Sequence, residues 1–314
     1  MGMRPAEKCS QGGMNKLISS HKLRAGTKRQ AFVLLLFFAL FSLFLQKTFA
    51  QNLSDEQIRQ QAERLQKGDA ETQRDALHKL RASESENASR IATEGLTDKS
   101  EIVRATAPFS VLSLPSDEAA ENLLPQLKDR SEYVRRETAY ALGKTRNIKA
   151  TQPLLDILQR DKEYSVKCAA AVALGEIGNI SAVNALTRIL QRNPSEEEEF
   201  LRRAAARSIG QIVEATLLKE FLAQTEIKDY DAFVLANRKT LSERYPALGS
   251  AVGVLIKTLQ NQNEADDPKR GAAFALGAIG DPRATTILQA NLNAEDYYLA
   301  EISREALRKI LAFK

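Results

Sequence analysis

The sequence predicts an all-α protein, a solenoid of about eight stacked two-helix units, and three observations predict it. The first is a block that recurs in register. Val134-Arg135 leads to Ala141-Leu142-Gly143, Val166-Lys167 to Ala173-Leu174-Gly175, Leu201-Arg202 to Ser208-Ile209-Gly210, and Pro268-Lys269 to Ala275-Leu276-Gly277. Successive glycines lie 32, 35 and 67 positions apart, the last interval being about twice the unit. A period in this range marks supersecondary units that cannot bury their apolar faces alone and so stack. The second observation is a companion block that starts six positions after each Gly. It reads Ser181-Ala182-Val183, Leu186, Leu190, and returns as Lys149-Ala150, Leu154, Leu158 and as Ser250-Ala251-Val252, Leu255, Leu259. Weaker copies begin at Glu118-Ala119 and Arg283-Ala284. Together the blocks put Gly-equivalent positions at Arg81, Leu112, Gly143, Gly175, Gly210, Arg244, Gly277 and Arg308. The third observation is composition. There is no Trp, aromatics make up 6% of the chain, and no strand-like alternation is present, so the core must come from Ala, Leu, Ile and Val.

Residues 1–50 read as a secretory signal peptide with a basic leader. Ala31 to Leu45 is uncharged and apolar. Lys22, Arg24, Lys28 and Arg29 precede it, and Thr48-Phe49-Ala50 follows with small residues at both cleavage-site positions. The run is short for a membrane span, which needs about 20 apolar residues. The expectation is an exported protein, periplasmic or extracellular. The alternative is an uncleaved signal anchor that tethers the same solenoid to the membrane.

Residues 51–68 are expected to form an N-terminal capping helix, with Ser54 as N-cap and Gln57 at the capping-box position. Residues 69–314 form the repeats. In each first helix small residues stand five and two positions before the Gly: Thr138, Ala170, Ala205 and Ala272, then Ala141, Ala173, Ser208 and Ala275. They let neighbouring helices approach closely. The Gly is expected to end the helix in the left-handed conformation. The second helix carries one apolar stripe, as in Ala150, Leu154, Leu155 and Leu158. The segment from Tyr230 to Tyr245 lacks Ala-Leu-Gly, and Pro246 breaks the pattern there. At the end, Leu299, Ile302, Ala306, Leu307 and Ile310 make one closing helix with no partner after it.

Charge and reactive residues narrow the function. The chain holds 45 Lys+Arg against 40 Asp+Glu, but residues 1–50 contain eight of the basic residues and one acid. The remainder is 37 against 39, so the basic balance belongs to the leader and the repeats give no reason to expect nucleic-acid binding. Beyond the leader one cysteine, Cys168, and one histidine, His78, remain. The first is expected to be a small buried hydrophobe and the second a solvated side chain. No Cys/His cluster has metal-ligand spacing, no Gly-rich loop follows a strand, and no pair of carboxylates is singled out. No catalytic, cofactor-binding or metal-binding residue is therefore expected. The acidic run Glu196 to Glu199 reads as a solvated loop.

The unit resembles a HEAT repeat of the HEAT-like, phycobilisome-lyase type. The residues that carry the resemblance are Asp129 and Arg135 before Ala141-Leu142-Gly143, and Asp161 and Lys167 before Ala173-Leu174-Gly175. The resemblance implies an internal polar ladder in which Arg104, Arg135, Lys167, Arg202 and Lys269 pair with acids such as Asp98, Asp129, Asp161 and Glu196. It implies that the second helices line the concave face. On that face Gln152, Asp156, Gln159, Asn184, Arg188, Gln191, Lys257 and Gln260 are the expected partner-binding residues. A non-enzymatic scaffold or adaptor for a protein or peptide partner follows, without cofactor. The alternative is an enzyme or enzyme accessory similar to the chromophore lyases that share this repeat.

Overall fold

The computed structural model describes residues 53–224, 228–238 and 240–311. The expected signal peptide lies outside the described residues. Within them every regular element is helical, and there is no strand. Among the described residues no helix is long and apolar enough to cross a membrane.

The capping helix α1 (Asp55–Lys67) begins as expected. Ser54 Oγ accepts from Gln57 N–H, and Gln57 Oε1 accepts in return from Ser54 N–H at 2.8 Å. The stack then runs α2 (Ala70–Ala82), α3 (Glu86–Ala92), α4 (Glu101–Ser110), α5 (Ser116–Leu123), α6 (Glu132–Thr145), α7 (Thr151–Arg160), α8 (Tyr164–Ile177) and α9 (Val183–Leu190). It continues with α10 (Glu199–Leu222), α11 (Tyr230–Arg238), α12 (Leu241–Arg244), α13 (Pro246–Gln260), α14 (Asp266–Ile279), α15 (Thr285–Ala290) and α16 (Tyr297–Leu311).

Two layers result. The first helices α2, α4, α6, α8, α10, α14 and α16 pack in that order, each on the next. The second helices fill the other layer, and there α9 packs directly on α13. The stripes that define the layers are buried as the sequence requires: Leu154, Leu186, Leu255 and Leu288 are wholly inaccessible to solvent. Burying a Leu side chain stabilises by roughly 1.5–3 kcal/mol, so each second helix is held by its stripe.

One expectation of register changes. The segment around Arg244 is no stacked unit, because α10 packs straight onto α14. The first helix of the fifth unit is lengthened to 24 residues, and α11 and α12 are inserted before its second helix, α13. Phe221 at the end of α10 meets Tyr230 and Phe233 of the insertion, with ring centroids 5.1 and 5.6 Å apart. Glu220 accepts from Arg244 at 2.7 Å and from the Tyr245 hydroxyl at 2.6 Å. Pro246 sits in the first turn of α13, where its missing N–H costs nothing.

The glycines also act differently from expectation. Gly143, Gly175 and Gly277 lie inside α6, α8 and α14, not after them. Each is the point where two first helices touch. A Cβ on Gly143 would stand 2.8 Å from the Ala173 Cα, and one on Gly277 2.8 Å from the Ala306 Cα. The left-handed cap falls three positions later, at Gly178 (φ 72°) and Gly280 (φ 76°), and at Arg146 (φ 52°) after α6. The close approach between helices, not the turn, fixes the glycine of Ala-Leu-Gly.

Candidate partner-binding faces

The recurrent arginines are consumed inside the stack. Asp129 stands just before α6, where Oδ1 accepts from Ser131 N–H at 2.8 Å. Its carboxylate also receives Arg104 of the preceding unit in a forked pair, at 2.7 and 3.1 Å. Arg104 Nη1 meanwhile donates to the carbonyls of Asp98 and Lys99. The next rung repeats this: Arg135 meets Asp161 at 2.7 and 2.9 Å. Gln73 replaces the arginine in the first rung and reaches Asp98 at 2.9 Å. Burial raises the Asp129 and Asp161 carboxyls, but the facing guanidiniums and backbone N–H groups outweigh it and hold both below the usual carboxylate range.

Three expected rungs are corrected. Lys167 makes no ion pair among the described residues and lies 5.4 Å from the Tyr164 ring centroid. Arg202 does not pair with Glu196. It forms a fully buried fork with Glu264, and Nη1 donates to the carbonyls of Ile189 and Arg192 at 2.9 Å each. That guanidinium caps the end of α9 and ties it to the approach to α14. In the last rung Arg270, the neighbour of Lys269, meets Asp296 at 2.7 and 2.9 Å. The acidic run is not wholly solvated, since Glu198 is buried and pairs with Arg192 at 3.0 Å.

With the arginine rungs paired, two outer faces remain. On the second-helix face all eight expected residues are exposed: Gln152, Asp156 and Gln159 on α7, Asn184, Arg188 and Gln191 on or just after α9, and Lys257 and Gln260 on α13. Gln152 donates to Asp156 at 3.1 Å, so part of the row is self-satisfied. Two clefts cut this face. One, between α5 and α7, is floored by Leu124, Pro125, Pro153 and Ile157 and edged by Asp156. The other, between α9 and α13, brings Gln191 and Lys257 together beside Arg192 and Asn261. The stack thus unites residues from separate units in one opening, while Gln152, Gln159, Asn184, Arg188 and Gln260 line neither cleft.

The first-helix face carries a pattern the sequence reading passed over. Exposed rings stand at the starts of α6, α8, α10 and α16, each beside a cation: Tyr133 with Arg136, Tyr164 with Lys167, Phe200 with Arg203, and Tyr298 with Arg270. The signal was present as an aromatic ten or eleven positions before the Gly-equivalent residue. His78 and Phe109 belong to this face too, in a cleft between α2, α4 and α6. Cys168 is half-buried there and unpaired, and burial pushes its thiol up to about 11.

Two packed helical layers with an internal Arg–Asp ladder define a helical-repeat solenoid. The chain belongs to the HEAT-repeat family. The profile described as HEAT repeats matches residues 89–164, 120–209 and 151–242, and that of the PBS lyase HEAT-like repeat matches 268–294. No curated protein matches the sequence. Among solved structures, the chain is similar to the CpcE–CpcF complex of phycocyanin lyase from a Nostoc species. There the identity is 18%, 82% of this chain and 95% of that chain are covered, and the TM-score is 0.45. Human deoxyhypusine hydroxylase gives 18%, 81%, 96% and 0.37 in the same order. A designed armadillo repeat protein gives 16%, 81%, 99% and 0.37.

Proposed function

We propose that this solenoid is an exported, non-enzymatic adaptor that binds a protein or peptide partner through its second-helix face. The observation that carries the reading is the pair of clefts between successive second helices. One has an apolar, proline-lined floor with Asp156 at its rim, and the other joins Gln191 to Lys257. An apolar floor with a polar rim is the anatomy of a recognition surface. The ladder supports it, because its charges are engaged in the stack and leave the outer row free to vary with the partner. The apolar run Ala31 to Leu45 ahead of Thr48-Phe49-Ala50 supports export.

The test reverses charge at Arg188 and Lys257 together in the full chain. Both are exposed and make no ion pair among the described residues, so helicity and thermal midpoint are expected to hold. Partner recovery after crosslinking is expected to fall at least tenfold, the scale of one lost charged contact. Undiminished recovery from a folded variant refutes this face.

A further inference from the structure

Phe274 of α14 has two cations near its ring. Arg207 of α10 and Lys309 of α16 each stand 5.9 Å from its ring centroid. The ring is seated against α10 at Gly210, where a Cβ would come within 2.5 Å of it. Arg207 is exposed and has no carboxylate within ion-pair distance among the described residues. Lys309 pairs with Glu305 at 4.0 Å, has Glu214 nearby, and does not line the cleft beside the ring. A cleft of about 730 Å³ opens beside the ring between α8, α10, α14 and α16. Val172, Ala204, Gly271 and Ile302 give it an apolar lining, and Tyr298 adds a second aromatic surface. Arg203 and Arg270 also reach the cleft but are engaged, with Asp267 at 2.9 and 2.6 Å and, for Arg270, with Asp296 at 2.7 Å.

We propose that this cleft on the first-helix face binds an acidic peptide segment that places an apolar side chain beside a carboxylate. The carboxylate pairs with Arg207, the cleft cation that has no carboxylate partner among the described residues. The apolar side chain lies on Phe274, Tyr298 and the floor. A guanidinium already held over a ring binds a carboxylate with little loss of freedom, since its fork is ordered before the ligand arrives. The charge pattern selects a peptide over a nucleic acid. A phosphate backbone needs a track of unpaired cations, whereas here two of the arginines are neutralised and residues 51–314 carry 37 basic against 39 acidic residues. The site is separate from the second-helix face, so each reading can fail alone.

The experiment measures fluorescence anisotropy of a short labelled peptide alternating glutamate and leucine, titrated with the full chain at low and high salt. Saturable binding is expected, weakened by salt. A peptide with glutamine for every glutamate is expected to bind at least tenfold more weakly. Arg207→Gln is expected to lose the same factor, and Arg130→Gln, an exposed charge elsewhere, nothing. The circular dichroism of each variant confirms that it folds. The proposal is overturned if the glutamine peptide binds equally, if Arg207→Gln retains full affinity, or if a single-stranded oligonucleotide displaces the peptide at equal concentration.

Discussion

Gly143 and Arg146 show how much one side chain decides in a close-packed stack. Gly143 is helical and needs no special backbone angle; its hydrogen is what allows α6 to touch α8. Replacing it with Ala gains helix propensity but drives a methyl into the Ala173 backbone. Gly143→Ala is expected to destabilise by about 2 kcal/mol, the cost of overpacking. Gly253→Ala on α13, where a methyl meets nothing within 4 Å, is expected to stabilise by about 0.5–1 kcal/mol. Arg146 presents the opposite case. It holds the left-handed angle that Gly178 and Gly280 take in other units, so Arg146→Gly is expected to gain about 1 kcal/mol. Urea midpoints of the three variants check the set, and a stabilised Gly143→Ala would refute the packing role. The sequence showed that these glycines recur but not why. A glycine before a turn and a glycine at a helix crossing look alike until the neighbouring helix is in place.

At the scale of the element, the rungs join each helix start to the preceding unit. Asp129 and Asp161 each hold their own helix start and an arginine one unit back. Their folded pKa values are depressed, as is that of Asp296, where the Arg270 guanidinium is the main cause. Their contribution is therefore fully present above the unfolded carboxylate pKa of about 3.9 and is lost as pH falls through the lower folded values. Urea midpoints are expected to drop steeply below about pH 4, and Asp129→Asn with Asp161→Asn to flatten that drop while lowering the neutral-pH midpoint. An unchanged acid slope in the double variant would place the sensitivity elsewhere. The ladder was legible where an acid stands six positions before a base within each unit, as at Asp129 and Arg135, and the base pairs with the acid of the next unit. It failed at Arg202, because the insertion of α11 and α12 moved the true partner 62 positions away. The exposure of the row from Gln152 to Gln260 was legible from the family resemblance together with the helical period. The Phe274 cleft was not: Arg207 and Phe274 hold the same repeat position, three before Gly210 and Gly277, but nothing in that spacing says that a cation meets a ring there until the two first helices are stacked.

The whole molecule is a row in which each unit is completed by its neighbours, so its ends matter. α16 covers α14 through Leu299, Ala306, Leu307 and Ile310, all buried, and Gly277 rests on Ala306. Truncation after Asp296 is expected to expose that surface and to promote aggregation, read by light scattering; a soluble, fully helical product would contradict it. The continuity of the row has one sharp signature. Arg202 and Glu264 are about two repeat lengths apart in sequence yet form a buried pair, which is possible only if the segment between them is looped out and α10 meets α14 directly. The most direct measurement is a double-mutant cycle with Arg202→Met and Glu264→Gln, followed by urea unfolding. The continuous stack predicts a coupling of about 2 kcal/mol or more, as for partners in one buried network. Additivity within about 0.5 kcal/mol would contradict it and restore a separate unit between the two residues.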